Sequence, residues 1–404
     1  MAQTILGGIA LALLAMQLPA TFLLLARLLR GARRQRPIQP QQPAQSSVAS
    51  VSIVVPTLNE AHRVEPCLVG LCAQGKAVRE ILVVDSQSTD GTQAVVEAIA
   101  QQDSRIRLTS DDPLPTGWVG RPWALHTGFL RSDADSDWIL GIDADTRPQP
   151  GLVESLLHEA TRHSYDMVSL SPKFILKSAG EWWLQPAMLM TLIYRFDSAG
   201  VQMPGTERVM ANGQCFLSRR SVLEKLDGYS CAASSFCDDV TLVREAARRG
   251  FKVGFLDGAE VISVRMYEGI AETWREWGRS LDLKDSISRA QLWSDLWLLL
   301  STQALPSLLL IMVGISVSFY GWGNSWESVG SPMLAGAIAL NVFLFAVRLG
   351  MQTAVAGSYD WSQCDRVRSL FFWLSPLADP LAVLRVMLSA SQRSIQWRGR
   401  LYSH

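Results

Sequence analysis

The sequence predicts an α/β domain with a mainly parallel sheet, flanked by apolar helices at both ends of the chain. Three observations predict it: short β-branched runs alternate with helical stretches, each run ends near an acidic residue, and uncharged stretches of membrane-spanning length stand at the two ends. Of the 404 residues, 48% are hydrophobic and 18% are charged. Average soluble chains are about 25% charged. This composition excludes a disordered or fibrous protein and argues against a wholly soluble one.

The charge balance bears on the partners of the chain. Lys and Arg together number 37, as do Asp and Glu, so the net charge is zero. A nucleic-acid partner is not expected, because phosphate binding requires surplus positive charge. The six cysteines contain no C-x-x-C pair and no zinc-ligand spacing. We therefore expect reduced thiols in a protein that faces the cytosol.

The first element is an uncharged stretch at residues 5–25, which as a helix is roughly 31 Å long and matches one bilayer core. A secretory signal peptide would carry its positive charge before the apolar run. Here the basic cluster follows it, which favours an uncleaved anchor over residues 1–30 with the next domain in the cytoplasm. Residues 31–50, basic and then rich in Gln, Pro and Ser, predict a flexible linker. The cluster consists of Arg27, Arg30, Arg33, Arg34 and Arg36.

A domain over residues 51–263 follows, with ordinary soluble composition. Its apolar runs at 51–55, 81–84, 105–108 and 138–142 predict strands separated by helices, an order typical of a parallel sheet. Ligands of such sheets bind beyond the carboxyl ends of the strands. The acidic residues expected there are Glu60, Asp85, Asp143 and Asp145.

Asp143 and Asp145 form a D-x-D motif at a strand end. On an extended segment the two side chains point the same way, and two carboxylates so close repel unless they share a cation or a proton. Oxygen ligands of this kind suit Mg²⁺ or Mn²⁺, which keep substrate phosphates in their shell. A helix cap or a turn is the alternative role for each of these acidic residues. For Asp85, a helix cap and a ligand contact are equally favoured.

Four segments together resemble the family 2 glycosyltransferases, inverting nucleotide-sugar enzymes with the Rossmann-like GT-A fold. These are VSIVVPTLNE (51–60), VVDSQSTDGT (83–92), GRPWALHTG (120–128) and GIDADTRPQPG (141–151). The resemblance implies a UDP- or GDP-linked sugar as donor. It also implies that Asp85 contacts the nucleobase and that Asp143 and Asp145 hold the diphosphate through a divalent metal. Pro56, Glu60 and Arg121 would line the donor pocket, and the planar guanidinium of Arg121 suits phosphate oxygens.

The acceptor half is expected around Asp238 and Asp239, which precede a predicted helix at 241–249. Either carboxylate could cap that helix. The resemblance implies that Asp239 is the general base and that Asp238 either supports it or contacts the acceptor. One carboxylate also raises the pKa of its neighbour and makes it a better base. Residues 211–220 resemble the acceptor-side strand of the family.

The segment after the sheet differs from the processive members of the family. Their Q-x-x-R-W motif is absent, and TWREW stands at 273–277, which argues against polymer synthesis. An apolar stripe from Met266 to Leu281 predicts interfacial amphipathic helices over residues 264–293, with packing in the protein core as the alternative. Trp274, Arg275 and Trp277 are the expected interface or acceptor residues. The apolar patch at 182–196 is expected to face the bilayer and to help form a lipid entrance.

Residues 294–390 are expected to form a C-terminal transmembrane region. Two uncharged intervals end at Glu327 and Arg348, and Pro306 with the Gly-Trp-Gly at 321–323 should kink and end the first helix. The stretch 369–390 is a third candidate that spans, re-enters or lies at the interface. The basic tail, residues 391–404, favours a cytoplasmic end.

Three further segments, LPTGW (114–118), YEG (267–269) and WRGR (397–400), resemble a membrane-bound branch of family 2. This branch includes carotenoid and hopanoid-associated glycosyltransferases. The sequence thus predicts a multi-pass enzyme of a bacterial plasma or internal membrane that moves one sugar to the hydroxyl of an apolar lipid, such as the 2′-hydroxyl of a carotenoid. A hopanoid or other lipid acceptor is the alternative. A nucleotidyltransferase lacks support because PTLNE is not a phosphate loop, and intact Asp143, Asp145 and Asp239 disfavour an inactive scaffold.

Overall fold

The computed structural model describes residues 2–42, 49–201, 205–278, 281, 283–327, 332–391, 394–397 and 400–403. Arg393 and Arg398 of the predicted basic tail lie outside this part of the chain. The strands are β1 (Val51–Thr57), β2 (Val78–Asp85), β3 (Ile106–Ser110), β4 (Trp138–Ile142), β5 (Thr146–Pro148), β6 (Met167–Ser171), β7 (Lys173–Phe174), β8 (Cys215–Arg219), β9 (Val253–Asp257), β10 (Ile262–Val264), β11 (Ser394–Trp397) and β12 (Arg400–Ser403).

The described helices fall into a set that packs with the sheet domain and an apolar set. They are α1 (Ala2–Gly31), α2 (Val64–Cys72), α3 (Thr92–Ala100), α4 (Gly120–Arg131), α5 (Leu152–His163), α6 (Ala179–Phe196), α7 (Arg220–Leu226), α8 (Asp238–Arg248), α9 (Gly269–Glu272), α10 (Arg289–Leu299), α11 (Leu305–Glu327), α12 (Pro332–Val355), α13 (Arg366–Trp373) and α14 (Asp379–Ser391). Two π-helical turns, Thr273–Trp277 and Leu300–Ala304, follow α9 and α10.

A seven-stranded sheet in the order β3-β2-β1-β4-β8-β6-β9 forms the centre of the domain. Strands β3, β2, β1 and β4 are parallel to one another, as the sequence predicts, but β8 runs antiparallel to both of its neighbours and makes the sheet mixed. Strands β1, β2 and β4 are mainly apolar and buried, as expected of a sheet covered on both faces, whereas the edge strand β3 is partly exposed. Helix α4 lies directly on β1, where a Cβ at Gly128 would come within 2.2 Å of the Val54 side chain.

A second core joins the sheet domain to the apolar helices. Helix α6 lies at its centre, with Trp182 fully buried among Tyr359, Trp361 and Phe372. The expectation that residues 182–196 face the bilayer is therefore wrong. Helices α13, α14 and α10 pack around α6, so the apolar side chains of this helix are buried against protein.

The amphipathic stripe expected from Met266 to Leu281 is not one continuous helix. Helix α9 has four residues and passes into the π-helical turn Thr273–Trp277. A π-helical turn bonds i to i+5 and so rotates the following side chains out of the 3.6-residue register. Ile270 stays 46% exposed, whereas Trp277 and Leu281 are buried.

Three helices of the described chain are long and apolar enough to cross a membrane: Leu6–Gly31, Arg289–Ser316 and Pro332–Ser358. The expectation that Gly-Trp-Gly ends the first C-terminal helix is wrong, because α11 continues to Glu327. Helices α13 and α14 meet at a bend of 52°, which makes them a broken span or a re-entrant pair.

Buried polar side chains hold these apolar helices together. Arg348 of α12 and Asp379 of α14 form an ion pair with N–O distances of 2.8 and 3.1 Å, and Gln303 donates to the same carboxylate. Arg27, at the end of the apolar part of α1, is not exposed to solvent. It is buried, donates to the carbonyl of Tyr194 and lies 3.8 Å from Asp295.

The linker after α1 is docked onto the sheet domain in the part that the structure describes. Gln35 N–H donates to the Gly200 carbonyl, and Ile38 N–H donates to the Asp257 carbonyl. Because these backbone hydrogen bonds tie the segment to the domain, residues 35–42 do not form the flexible linker that their composition predicts.

Candidate active site

A cavity of about 660 Å³ lies at the carboxyl ends of β1 and β4. Strand-end loops supply its polar side, the first turn of α8 supplies a second carboxylate pair, and helix α6 supplies an apolar wall. The cavity brings together Pro56, Glu60, Arg121, Asp143, Asp145, Asp238, Asp239, Arg275 and Trp277. These residues lie up to 221 positions apart in the sequence and are brought together only by the tertiary structure.

Asp143 and Asp145 reach the cavity from a turn between β4 and β5. The extended segment assumed from the sequence is wrong, because the chain turns at residues 144–145. The Asp143 carbonyl accepts from the backbone N–H of Thr146 at 3.2 Å and from its hydroxyl at 2.7 Å, while Asp143 N–H donates to the Gln214 carbonyl. With Ala144 buried beneath them, both carboxylates line the cavity.

Arg121, at the start of α4, connects the two carboxylate pairs. Its Nε donates to Asp143 at 3.0 Å, another nitrogen forms an ion pair with Asp238, and Nη2 donates to the Gly213 carbonyl at 2.7 Å. The guanidinium is therefore not the solvated charge that a helix start would allow. Burial lowers its pKa, but the charges of Asp143 and Asp238 outweigh burial and raise the pKa.

Gly213 is a site residue that the sequence did not reveal. A Cβ there would lie 2.4 Å from Nη2 of Arg121, so only glycine leaves room for the guanidinium. The signal was the glycine within ANGQ at 211–214, just before β8. A glycine at a strand start can mark a close approach of another group.

Asp238 and Asp239 occupy the first turn of α8, three residues earlier than the predicted helix start. The N-cap is Cys237, so neither carboxylate caps this helix. Asp239 accepts from Val240 N–H at 2.9 Å. Burial raises the pKa of Asp238 to about 7, with the charge of Asp239 adding to the effect and Arg121 opposing it. Burial also raises the pKa of Asp239. Such a pair can accept a proton near neutral pH.

Two predicted site residues lie outside the cavity lining. The carboxylate of Asp85 accepts from Ser88 and from the Gln93 amide, and so orders the loop after β2. Trp274 lines a separate groove beside α14. The nucleobase contact of Asp85 stays a prediction, since a bound nucleotide would have to reach this loop.

The apolar wall of the cavity comes from the patch at 182–196, which was assigned from the sequence to a lipid entrance but placed against the bilayer. Leu189, Leu192, Ile193 and Phe196 of α6 line it, and Val355 at the end of α12 adds to it. The four α6 positions follow the i, i+3, i+4, i+7 spacing of one helix face. That spacing was the available signal, but it does not distinguish a cavity wall from a packed core.

The Asp143/Asp145 pair has the donor chemistry for a divalent cation. No group of three or more His, Cys, Asp or Glu residues is placed to hold a metal among the described residues. Two carboxylates nevertheless fit Mg²⁺ or Mn²⁺, because these ions are commonly held by one or two carboxylates and take their remaining oxygens from water and substrate phosphates. These two side chains are the residues that could hold such an ion.

Comparison with known proteins places this geometry in context. Residues 52–227 match the sequence model described as Glycosyl transferase family 2. The 4,4'-diaponeurosporenoate glycosyltransferase of Staphylococcus haemolyticus is 25% identical over 277 residues, covering 67% of this chain and 68% of that protein. The polyprenol monophosphomannose synthase of Mycolicibacterium smegmatis is 25% identical, covering 50% of this chain and 73% of that protein.

A solved structure shows the same fold. The mannosyltransferase from Pyrobaculum calidifontis, in complex with GDP-Man and Mn²⁺, aligns with a TM-score of 0.53 and 18% identity over 96% of this chain and 100% of that one. The predicted fold class, a Rossmann-like GT-A α/β domain with apolar helices at both ends of the chain, is confirmed.

Proposed function

We propose that this protein, a glycosyltransferase of GT-A fold with a family 2 domain at residues 52–227, transfers one sugar from a nucleotide sugar to the hydroxyl of an apolar lipid. One observation carries the proposal. The same cavity is lined by two carboxylate pairs and by an apolar wall from α6 and α12, and Phe196 of that wall packs against Cys237 and Val240 beside the second pair. A reaction between a charged donor and an apolar acceptor requires both surfaces in one site.

The donor belongs at the strand-end side of the cavity. Asp143 and Asp145 would hold Mg²⁺ or Mn²⁺, and the ion would supply charge that stabilises the departing diphosphate. Pro56, Glu60 and Arg121 line the same side. The mannosyltransferase with a similar fold was solved with GDP-Man and Mn²⁺, which supports a nucleotide sugar and a divalent ion here without fixing the nucleotide.

Asp239 is the proposed general base. Its carboxylate takes the proton of the acceptor hydroxyl as that oxygen bonds to the anomeric carbon from the face opposite the leaving group. The bond between the anomeric carbon and the diphosphate oxygen breaks, which gives an inverted glycoside and a nucleoside diphosphate. Asp238, tied to Arg121, positions the base and keeps negative charge beside it.

The charge of the cavity favours a neutral acceptor. Among the described residues, nine carboxylates and four arginines line it. Every one of these arginines is within 4 Å of a carboxylate of the same cavity, which leaves an excess of negative charge. The pairs are Arg34 with Asp257, Arg63 with Glu272, Arg121 with Asp143 and Asp238, and Arg275 with Glu276. A lipid phosphate or carboxylate would meet like charge, whereas an alcohol would not.

Within the class of neutral apolar lipids, we favour a hydroxylated carotenoid. The Staphylococcus haemolyticus relative is named for diaponeurosporenoate, a carotenoid carboxylate, so it supports the carotenoid chain of the acceptor, and the apolar wall of the cavity suits that chain. The choice of a hydroxyl over a carboxylate rests on the negative charge of the cavity. A hopanoid or another lipid alcohol is the second candidate. The Mycolicibacterium smegmatis relative is named for polyprenol monophosphomannose. A lipid phosphate is therefore the competing acceptor with which the lipid alcohol should be compared.

We place the enzyme in a membrane with its catalytic domain in the cytoplasm. Three helices have the length and composition of spans, and Arg30, Arg33, Arg34 and Arg36 follow the hydrophobic part of the first. Cys231, exposed on the catalytic domain, provides the test. An impermeant thiol reagent added to intact cells should not label it until the cells are permeabilised, and ready labelling would invert the orientation.

The function is tested with the full-length protein in nanodiscs. We would supply UDP- and GDP-sugars with three acceptors of similar length: a hydroxylated carotenoid, a carotenoid carboxylate and a polyprenyl phosphate. Transfer to the hydroxyl, with inversion at the anomeric carbon seen by NMR, is expected to dominate. Transfer to either anionic acceptor with the alcohol inert would overturn the proposal.

A further inference from the structure

A groove separate from the candidate active site lies between α14 and the π-helical turn Thr273–Trp277. Its volume is about 760 Å³. Its walls combine aromatic and aliphatic side chains with two arginines, and no acidic residue is among the described lining residues. The residues that matter are Trp183, Trp274, Leu381, Leu388, Arg275 and Arg385.

The two arginines make this groove suited to an anion. Arg385 is only 6% exposed; its Nε donates to the Trp274 carbonyl at 2.8 Å and its guanidinium lies 5.8 Å from the Trp274 ring. Packing therefore fixes this cation at the wall. The side chain of Arg275 is 72% exposed and pairs with Glu276 at 3.0 Å. An exposed ion pair of this kind is weak, so Arg275 can exchange its partner at low cost.

The surroundings of the groove are apolar. Leu381, Leu384 and Leu388 on the outer face of α14 are 38%, 44% and 43% exposed, which is the surface that a helix presents to lipid. Tryptophan is enriched at the headgroup level of membranes. An occupant must therefore combine a negative head group with a hydrocarbon chain.

We propose that this groove binds an anionic glycerophospholipid of the bilayer. The phosphate binds the exposed guanidinium of Arg275, and an acyl chain lies along Trp183, Leu381 and Leu388. The charge of Arg275 selects the anionic head group, and the apolar walls select a lipid over inorganic phosphate. The acceptor lipid enters the other cavity, where the excess charge is negative.

The same segment connects the groove to the candidate active site. Arg275 lines both cavities, while Glu276 and Trp277 line the active-site cavity. A phosphate that takes Arg275 from Glu276 leaves a further negative charge at the acceptor side and repositions the turn. π-Helical turns often occur at functional sites. We infer that anionic lipid changes the KM for the acceptor, a link that rests on the proposed function, whereas lipid binding itself does not.

Lipid binding is measured first, without turnover. The full-length protein in detergent is titrated with dioleoyl phosphatidylglycerol and followed by native mass spectrometry, which should show saturable binding. Neither phosphatidylcholine nor inorganic phosphate should displace the bound phosphatidylglycerol. Arg275→Gln should weaken phosphatidylglycerol binding about fivefold, because each basic residue near an anionic lipid surface contributes that order of affinity. Arg275→Lys should retain most of it. Arg162→Gln, at an exposed arginine of α5, is the matched control and should bind as the native protein does.

Activity is measured second, in nanodiscs of phosphatidylcholine with and without phosphatidylglycerol. The acceptor KM should respond to phosphatidylglycerol in the native protein and in Arg162→Gln but not in Arg275→Gln. Equal phosphatidylglycerol affinity in Arg275→Gln and native protein would overturn the site. An acceptor KM that ignores lipid composition would overturn the link to the active site. Absence of any transfer would count against the proposed function and leave the binding result intact.

Discussion

The two carboxylate pairs of the cavity are built in different ways. Asp143 and Asp145 stand in a short turn that backbone hydrogen bonds fix to Thr146 and, from a distant part of the sequence, to Gln214, and Arg121 also contacts Asp143. Asp238 stands beside Asp239 in the first turn of α8 and is held by the side chain of Arg121, 117 residues away in the sequence. The donor-side turn thus depends mainly on backbone bonds at the sheet edge, whereas the acceptor pair depends on a side-chain ion pair. Substitutions on the two sides should therefore fail in different ways.

The largest expected effect is at the donor side. Asp145→Asn should abolish turnover and the dependence on divalent metal together, because the amide cannot supply the charge that a hard cation requires. The fold should survive, since the loss of a turn contact lowers the free energy of unfolding by only about 1 kcal/mol. Activity against Mg²⁺ and Mn²⁺ concentration, with thermal unfolding alongside, measures both. Asp135→Asn, at an 82% exposed carboxylate, is the control. Native turnover in Asp145→Asn would remove the metal assignment.

The next effect is at the acceptor side. Asp239→Asn keeps the shape and an oxygen for the Val240 N–H but cannot take the acceptor proton, so kcat should fall by roughly 10²–10⁴-fold. Donor binding and stability should stay near native. Asp238→Asn should lose less, because its role is to position the pair. Single-turnover rates separate the two variants. A larger loss at Asp238 would exchange their roles, and an active double variant would place the base elsewhere.

The pH profile sharpens the comparison, because burial is expected to make the acceptor pair titrate near neutrality. Burial raises the pKa of Asp238 to about 7 and also raises that of Asp239, so the pair takes up a proton as pH falls through that value. The base is then lost, and kcat/KM should fall about tenfold per pH unit on the acid side. In Asp238→Asn the acid limb should move to lower pH. An acid limb that stays in place would assign the titration to another group.

The smallest effect is expected at the apolar wall. Leu192→Trp narrows the acceptor end of the cavity and should raise the acceptor KM about tenfold for a long lipid, with the donor KM unchanged, because overpacking costs about 1–3 kcal/mol. Steady-state kinetics with varied acceptor and with varied donor measures the split. Leu130→Trp, at a 64% exposed leucine, is the control. Equal changes in both KM values would show that the wall is not specific to the acceptor.

The difference between the two sides of the cavity also explains which site residues could be predicted from the sequence and which could not. Glu60, Asp143 and Asp145 were expected at strand ends and line the cavity, because parallel strands bring their carboxyl ends to one edge. The start of α8 was placed three residues late, since an aspartate before a helix usually suggests a cap, whereas Cys237 is the N-cap here. The ion pair of Arg121 with Asp238 could not be predicted, because no local sequence pattern indicates it.

The apolar segments were harder to predict for a physical reason. Hydrophobicity identified α1, α11 and α12 by length, but it does not tell bilayer from protein as the surroundings of an apolar side chain. Trp182 was therefore expected against lipid and is buried against Trp361 and Phe372. The π-helical turn likewise broke a stripe whose spacing assumed a regular helix.

The ion pair between α12 and α14 has a consequence for the biosynthesis of the chain. Asp379 follows Arg348 by 31 residues, so ribosomes working at about 5–20 residues per second deliver the arginine on the order of two to six seconds before its partner. An arginine at the centre of a membrane helix costs roughly 2.5–3.5 kcal/mol in translocon insertion. If the two helices enter a membrane, α12 would gain its full stability there only after α14 has been made. We therefore expect the last two apolar segments to insert as a coupled pair, and a nascent chain that stops before residue 379 would leave α12 with an unneutralised charge.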